Sequence, residues 1–194
     1  MADQSRITVR RAAKEDMADV LLMIQELADF EKMPDGPKLT VDDLIRDGGF
    51  DSNDANGHPL FFCFIAEEIS PTTNRIGDDG NVDLTLNRQP MTRKSIGYSI
   101  CFFSSYSTWG GRTLYMEDLY VQPSYRKLGI GKMILQEIAS YASETGCCRI
   151  DFQALNWNPA VKFYEKLGAA NLTESKSWLY YVFRREDLDK ICSN

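Results

Sequence analysis

The sequence predicts a mixed α/β fold, a central mixed sheet with helices on both faces, and three observations lead there. Strand-length apolar segments follow one another early in the chain, strand and helix patterns alternate late in it, and one strand runs through a glycine turn directly into an amphipathic helix. In chain order the pattern is βααβββαβαβ. Hairpin-joined strands pair antiparallel and β-α-β crossovers pair parallel, so the sheet must contain both.

Ile7 and Val9 alternate with polar neighbours as a first strand. A helix opens near residues 14–16, where Met17, Val20, Leu21, Ile24, Leu27 and Ala28 place one apolar stripe, and it ends before Met33 and Pro34. Thr40 with Asp43 three residues on has the form of a capping box for a short helix that stops at Gly48 and Gly49. Residues 61–66, 95–103 and 113–121 read as strands. A helix over 130–145, a strand over 149–154, a helix over 159–167 and a last strand over 179–183 complete the order. Residues 69–94 contain Pro71, Gly77, Gly80 and Pro90, with only Val82, Leu84 and Leu86 alternating. They are expected to form a mobile loop insertion, or a small extra hairpin, within a single domain spanning 5–185.

With 43% hydrophobic residues, a chain of 194 can bury a proper core. Its net charge of −6 argues against a nucleic-acid partner, which requires a basic face, and suits solubility or cationic ligands. No run approaches the roughly 18 apolar residues of a membrane span, and the N-terminus is polar at Asp3, Gln4 and Ser5, so a cytoplasmic protein without a membrane partner is expected. The five cysteines, at 63, 101, 147, 148 and 192, form no C-x-x-C pair. Three of them sit in or beside apolar runs, as Cys63 and Cys101 do, which suits buried thiols in a reducing compartment, and no metal site is expected. The single histidine, His58, precedes Pro59 in a turn-like stretch and is a poor base for a Ser-His or Cys-His pair.

The chemistry concentrates in residues 115–131, YMEDLYVQPSYRKLGIG, a strand that turns at Gly129 and Gly131 onto the helix carrying Ile130, Ile134, Ile138 and Ala142. A helix N-terminus presents unpaired N–H groups and the positive end of the macrodipole, which together make an anion seat. Arg126 adds a charge-assisted contact to phosphate oxygens.

This segment resembles the acetyl-CoA-binding signature of the GNAT superfamily of N-acetyltransferases, and residues 156–169, NWNPAVKFYEKLGA, resemble its closing motif. Residues 26–32, ELADFEK, and 106–115, YSTWGGRTLY, are similar to the diamine acetyltransferases, especially the thialysine-acetylating branch. The likeness runs from about residue 7 to about 183. It implies the GNAT fold, acetyl-CoA as co-substrate and a small primary amine as acceptor. It also implies a homodimer with the amine site near the subunit interface.

The same resemblance assigns the residues. Leu119, Tyr120 and Val121 would hold the pantetheine arm through their backbone, like an added strand, and Arg126, Lys127, Leu128, Gly129, Ile130, Gly131 and Lys132 would seat the phosphates. Asn158 matches the asparagine on the CoA arm, although Asn156 is an alternative because the spacing from Trp157 to Tyr164 is one residue short. An ammonium with a pKa near ~10.4 must lose its proton before it attacks, and Glu117 matches the carboxylate that takes it. Alternation puts Glu117 and Asp118 on opposite faces unless the strand is bulged. Tyr164 matches the tyrosine that protonates the departing thiolate, a role that also brings it to the cofactor. Phe30, Glu31, Glu117, Trp109, Asp151 and Trp178 are the expected acceptor-site residues. Lys176 stands where relatives carry an acidic residue, which favours an amino acid-like acceptor such as thialysine over a polyamine. Lys127 replaces the glycine usual after the motif arginine.

Overall fold

The computed structural model describes residues 5–51, 59–71, 91–108 and 110–192. They form two compact units, Met1–Gln153 and Ala154–Asn194. The first holds β1 (Arg6–Arg11), a 3-10 turn (Lys14–Asp16), α1 (Met17–Phe30), α2 (Val41–Asp47), β2 (Phe62–Pro71), β3 (Met91–Ser107), β4 (Gly111–Val121), α3 (Ile130–Glu144) and β5 (Arg149–Phe152). The second holds α4 (Ala160–Lys166), α5 (Leu172–Lys176) and α6 (Arg185–Cys192).

The sheet order is β1-β2-β3-β4-β5, antiparallel as far as β4 and parallel between β4 and β5. This is the mixed sheet the sequence predicts. Side-chain alternation on β2 divides its two faces. Cys63 and Ile65 join Met17, Val20 and Met23 of α1 and Leu44 of α2 in one core. Phe62 and Phe64 turn the other way onto Tyr141 of α3, with ring centroids 4.6 and 6.1 Å away. Ile130, Ile134, Ile138 and Ala142 are the buried stripe of α3, as their spacing requires. Each buried isoleucine contributes about 1.5–3 kcal/mol, enough to fix how the helix lies on the sheet.

The local signals act as read. Thr40 accepts from the Asp43 N–H at 3.2 Å while the Asp43 carboxylate accepts from the Thr40 N–H at 2.9 Å, closing the capping box of α2. Before α1, Asp16 accepts from both terminal nitrogens of Arg10, at 2.7 and 3.0 Å. Arg10 also reaches Glu67, a buried carboxylate that accepts from Thr8 and Arg93 as well. A buried charge is tolerated when it is paired and hydrogen-bonded on all sides, and here it ties β1, β2 and β3 together.

Three expectations need correction. β2 and β3 run longer than predicted, so Ser70, Pro71 and Met91 to Lys94 belong to strands, with Pro71 facing Met91. Of the predicted insertion, residues 72–90 lie outside the described residues. No strand forms at residues 179–183, which have no regular structure. Aromatic and aliphatic residues in a run make a strand only where a partner supplies the hydrogen bonds, and among the described residues none pairs with them. The short helices α5 and α6 were not foreseen, since neither carries a buried stripe.

β3 and β4 approach closely at Gly97, opposite Val121, where an added Cβ would lie 2.7 Å from the Tyr120 carbonyl oxygen. Gly97→Ala is therefore expected to lower unfolding stability by about 1–3 kcal/mol. Urea denaturation measures it, and a loss under about 0.5 kcal/mol would mean that the strands separate freely at this point.

Candidate functional site

The site begins at a break in register. Ile100 of β3 faces Asp118 and Cys101 faces Met116, so Glu117 is the extra residue of a β-bulge on β4. The bulge meets the condition under which adjacent carboxylates can serve one cleft. Glu117 is exposed, whereas Asp118 is half-buried and accepts from the Tyr98 hydroxyl at 3.0 Å. The Ser99 hydroxyl donates to the Asp118 carbonyl, which fixes the backbone at the bulge. Burial pushes the Asp118 carboxyl up to about 6, against the Tyr98 hydrogen bond, and the charges of Glu117 and Glu31 add to the rise. Glu31, just beyond α1, is itself raised by burial. Glu31, Glu117 and Asp118 thus interact electrostatically around the bulge, an environment that attracts a cation. Asp118 was not among the predicted site residues. Its signal was the adjacent acidic pair, which strict alternation divided between two faces.

Beyond the bulge β4 keeps β3 as its neighbour, with Leu119 facing Ser99, Tyr120 facing Tyr98 and Val121 facing Gly97. β5 pairs only with Thr113 to Met116. Past Met116 the other side of β4 is therefore an edge among the described strands, where an extended chain can add.

The turn that follows is held at each step. The Gln122 N–H donates to the Ile96 carbonyl at 2.9 Å, and the Tyr125 hydroxyl donates to Glu68 at 2.7 Å. Arg126 Nε donates to the Val121 carbonyl at 2.9 Å, with its guanidinium over the rings of Phe30 at 5.1 Å and Tyr120 at 5.5 Å. Lys127 adopts φ 67°, the left-handed conformation that glycine takes without cost. That accounts for the glycine usual at this position. Gly129, with φ 84°, opens α3.

The first helical bonds run from the Lys132 and Met133 N–H groups to the Gly129 carbonyl, so those of Ile130 and Gly131 precede the ladder. No side chain caps this end, and its first turn has no acidic residue. The space that a side chain at Gly129 would take is open to 4 Å. Uncapped N–H groups, open space and the cations of Arg126, Lys127 and Lys132 fit a pyrophosphate. The turn and the bulge stand at opposite ends of one five-residue stretch, 117–121.

The remaining candidates are placed separately. Asp151, on β5 opposite Tyr115, is paired with Arg149 at 2.9 Å. Trp109 and His58 lie outside the described residues. In the second unit the Asn158 carboxamide oxygen accepts from the Ala160 N–H at 2.9 Å, starting α4, and leaves its NH2 group to donate to a ligand. Asn156 is exposed in the preceding turn. Tyr164 is half-buried on α4, its ring 5.3 Å from that of Phe163. Lys176 ends α5, and Trp178 is exposed after it. Cys101 is fully buried, and burial pushes its thiol up to about 12, which opposes a thiolate nucleophile at neutral pH. Among the described residues no cluster of three His, Cys, Asp or Glu side chains could hold a metal, and no helix is long and apolar enough to cross a membrane.

Comparison with known proteins agrees with this geometry. The profile of the Acetyltransferase (GNAT) family matches residues 93–169, which contain most of β3 and all of β4, the turn and α3. The thialysine N-epsilon-acetyltransferase of Sus scrofa is 35% identical over 95% of this chain and 96% of its own length. That of Mus musculus is 36% identical over 94% and 95%. Among solved structures, an integron cassette protein from the mobile metagenome of V. cholerae superposes with a TM-score of 0.63 at 22% identity, covering 97% of this chain and 98% of that one.

The raised Asp118 carboxyl gives a stability test. The protonated form is favoured in the folded state, so its contribution is complete below the ordinary value of 3.8 and is lost as pH rises through about 6. Asp118→Asn keeps an acceptor for Tyr98 but cannot ionise. Relative to wild type it is expected to gain thermal stability between pH 4 and pH 7, with the gain levelling above that. Melting curves at several pH values measure the difference, and a constant offset would place Asp118 in an ordinary solvated setting.

Proposed function

Because the chain belongs to the GNAT family of acetyltransferases, we propose that it transfers the acetyl group of acetyl-CoA to the side-chain amine of an amino acid-like acceptor of the thialysine kind. The observation that carries this reading is the bulge. It leaves Glu117 exposed beside Asp118, nine residues before Arg126, the first residue of the turn that leads to the uncapped start of α3.

Acetyl-CoA supplies the activated acyl group as a thioester. Arg126, Lys127, Lys132 and the N–H groups at the start of α3 hold its phosphates, and the edge of β4 over Leu119, Tyr120 and Val121 holds the chain between phosphate and thioester. Glu31 and the ionised fraction of Asp118 attract the acceptor ammonium. Glu117 takes its proton, freeing the nitrogen lone pair for direct attack in a ternary complex. Tyr164 donates its hydroxyl proton to the departing sulfur, an assignment supported by the family likeness of residues 156–169. The buried, poorly acidic Cys101 argues against a covalent acyl-cysteine route.

The acceptor follows from charge. Thialysine carries a carboxylate and an amine at the end remote from the reacting nitrogen, whereas spermidine carries further ammonium groups. Lys176, at the position where diamine acetyltransferases have an acid, repels the latter. Two like charges about 5 Å apart at an effective dielectric of about 20 repel by on the order of 3 kcal/mol before salt and side-chain movement reduce it.

CoA release across thialysine, putrescine and spermidine is expected to give thialysine at least a tenfold higher kcat/KM than spermidine. Lys176→Glu should raise the value for spermidine and lower it for thialysine, while Glu117→Gln should lower both by about 10²- to 10⁴-fold. No CoA release with any of these amines, or with a lysine peptide, would leave an acetyl-CoA-binding module without catalysis. An unchanged acceptor ratio in Lys176→Glu would remove Lys176 from the choice. Tyr164→Phe should lower kcat by about 10²-fold or more while acetyl-CoA affinity stays near wild type. A rate within about twofold of wild type would return Tyr164 to a packing role.

A further inference from the structure

Phe30 was expected to wall the acceptor site, yet its ring is engaged elsewhere. The Arg126 guanidinium lies 5.1 Å from the Phe30 ring centre and 5.5 Å from that of Tyr120, inside the range of a cation–π contact. Four residues before Phe30, and therefore on the same face of α1, Glu26 acts electrostatically on the Tyr120 hydroxyl, as does Arg126. The Val121 carbonyl takes the Arg126 Nε–H. The last turn of α1 and the end of β4 therefore hold one exposed arginine, the first residue of the anion-binding turn. A long flexible cation that must adopt one orientation to meet a phosphate loses less freedom on binding when neighbours hold it beforehand.

We propose that Phe30 is a positioning residue for the cofactor turn, holding Arg126 ready for the phosphates of acetyl-CoA. The inference rests on the reading of residues 126–132 as the phosphate seat. It also connects the two substrates physically, because Glu31, adjacent in sequence, belongs to the acidic surroundings of the bulge. Whatever moves the end of α1 on the amine side then acts on the arginine of the cofactor side.

The test is calorimetric titration of acetyl-CoA without amine into wild type, Phe30→Leu, Phe30→Tyr, Arg126→Met and Phe30→Leu/Arg126→Met, followed by steady-state kinetics with thialysine. Leucine keeps the apolar bulk but removes the ring face. Phe30→Leu is expected to weaken acetyl-CoA binding about two- to fivefold, the range of an exposed cation–π contact, and to raise the KM for acetyl-CoA with little change in that for the amine. Phe30→Tyr should bind like wild type, and Phe30→Leu should add nothing in the Arg126→Met background. Wild-type affinity in Phe30→Leu would overturn the proposal, as would a rise confined to the amine KM or an equal loss with and without Arg126. Phe30→Met serves the same comparison should leucine lower the melting temperature. Failure of the wild type itself to bind acetyl-CoA would overturn the phosphate seat and the proposal with it, an outcome distinct from the others.

Discussion

β4 pairs with β3 along nearly its whole length but with β5 only from Thr113 to Met116, and Glu117, where the second pairing ends, is the residue the β3 register skips. Much of the site depends on that coincidence. A regular strand would turn Glu117 and Asp118 to opposite faces, whereas the bulge gives each a separate task. Asp118 can sink towards the core because its neighbour no longer occupies a ladder position. Glu117 stays in solvent.

The bulge is held from beneath by Tyr98. This tyrosine is completely buried between α1 and the sheet, and a hydroxyl buried without a partner costs about 1–3 kcal/mol. Its partner is the Asp118 carboxylate. The apolar core and the acidic site therefore meet in one hydrogen bond: the packing that orders α1 over Tyr98 also fixes the carboxylate beside Glu117. Because α1 carries Glu31 at its end and Phe30 against Arg126, its docking aligns acceptor-side and cofactor-side groups together.

Where the chain's own periodicity decides the structure, it could be read directly. Ile130, Ile134, Ile138 and Ala142 became the buried stripe of α3, and the Thr40–Asp43 box closed as its spacing requires. Where the outcome depends on a partner distant in sequence, periodicity misled or fell silent. Residues 179–183 form a strand-length aromatic and aliphatic run without pairing as a strand, and β2 and β3 continue past their apolar runs because each supplies the other's hydrogen bonds. The strand, the glycine turn and the helix start were legible in sequence, but the half-buried setting of Asp118 was not. Nothing in a dipeptide of two acids announces that the strand bulges between them, since that is decided by the register of β3.

The turn before α3 breaks local rules in a way that suits an anion. Helices α1, α2, α5 and α6 begin with acidic residues in their first turns, the arrangement the macrodipole favours by roughly 0.3–1 kcal/mol per charge. α3, like the short α4, has none, and Lys132 sits in the first turn of α3 with Arg126 and Lys127 just before it, in a chain whose net charge is −6. Lys127 further accepts a left-handed backbone that costs a residue with a Cβ on the order of 1 kcal/mol. For the free protein these are unfavourable choices concentrated within seven residues. They become favourable when a polyanion lies across the helix start, because the cations then face opposite charge and the uncapped N–H groups find acceptors. Conflict between local preference and observed structure is expected where a sequence serves a ligand in addition to its fold, and in this molecule it centres on the turn that Phe30 and Tyr120 hold in place.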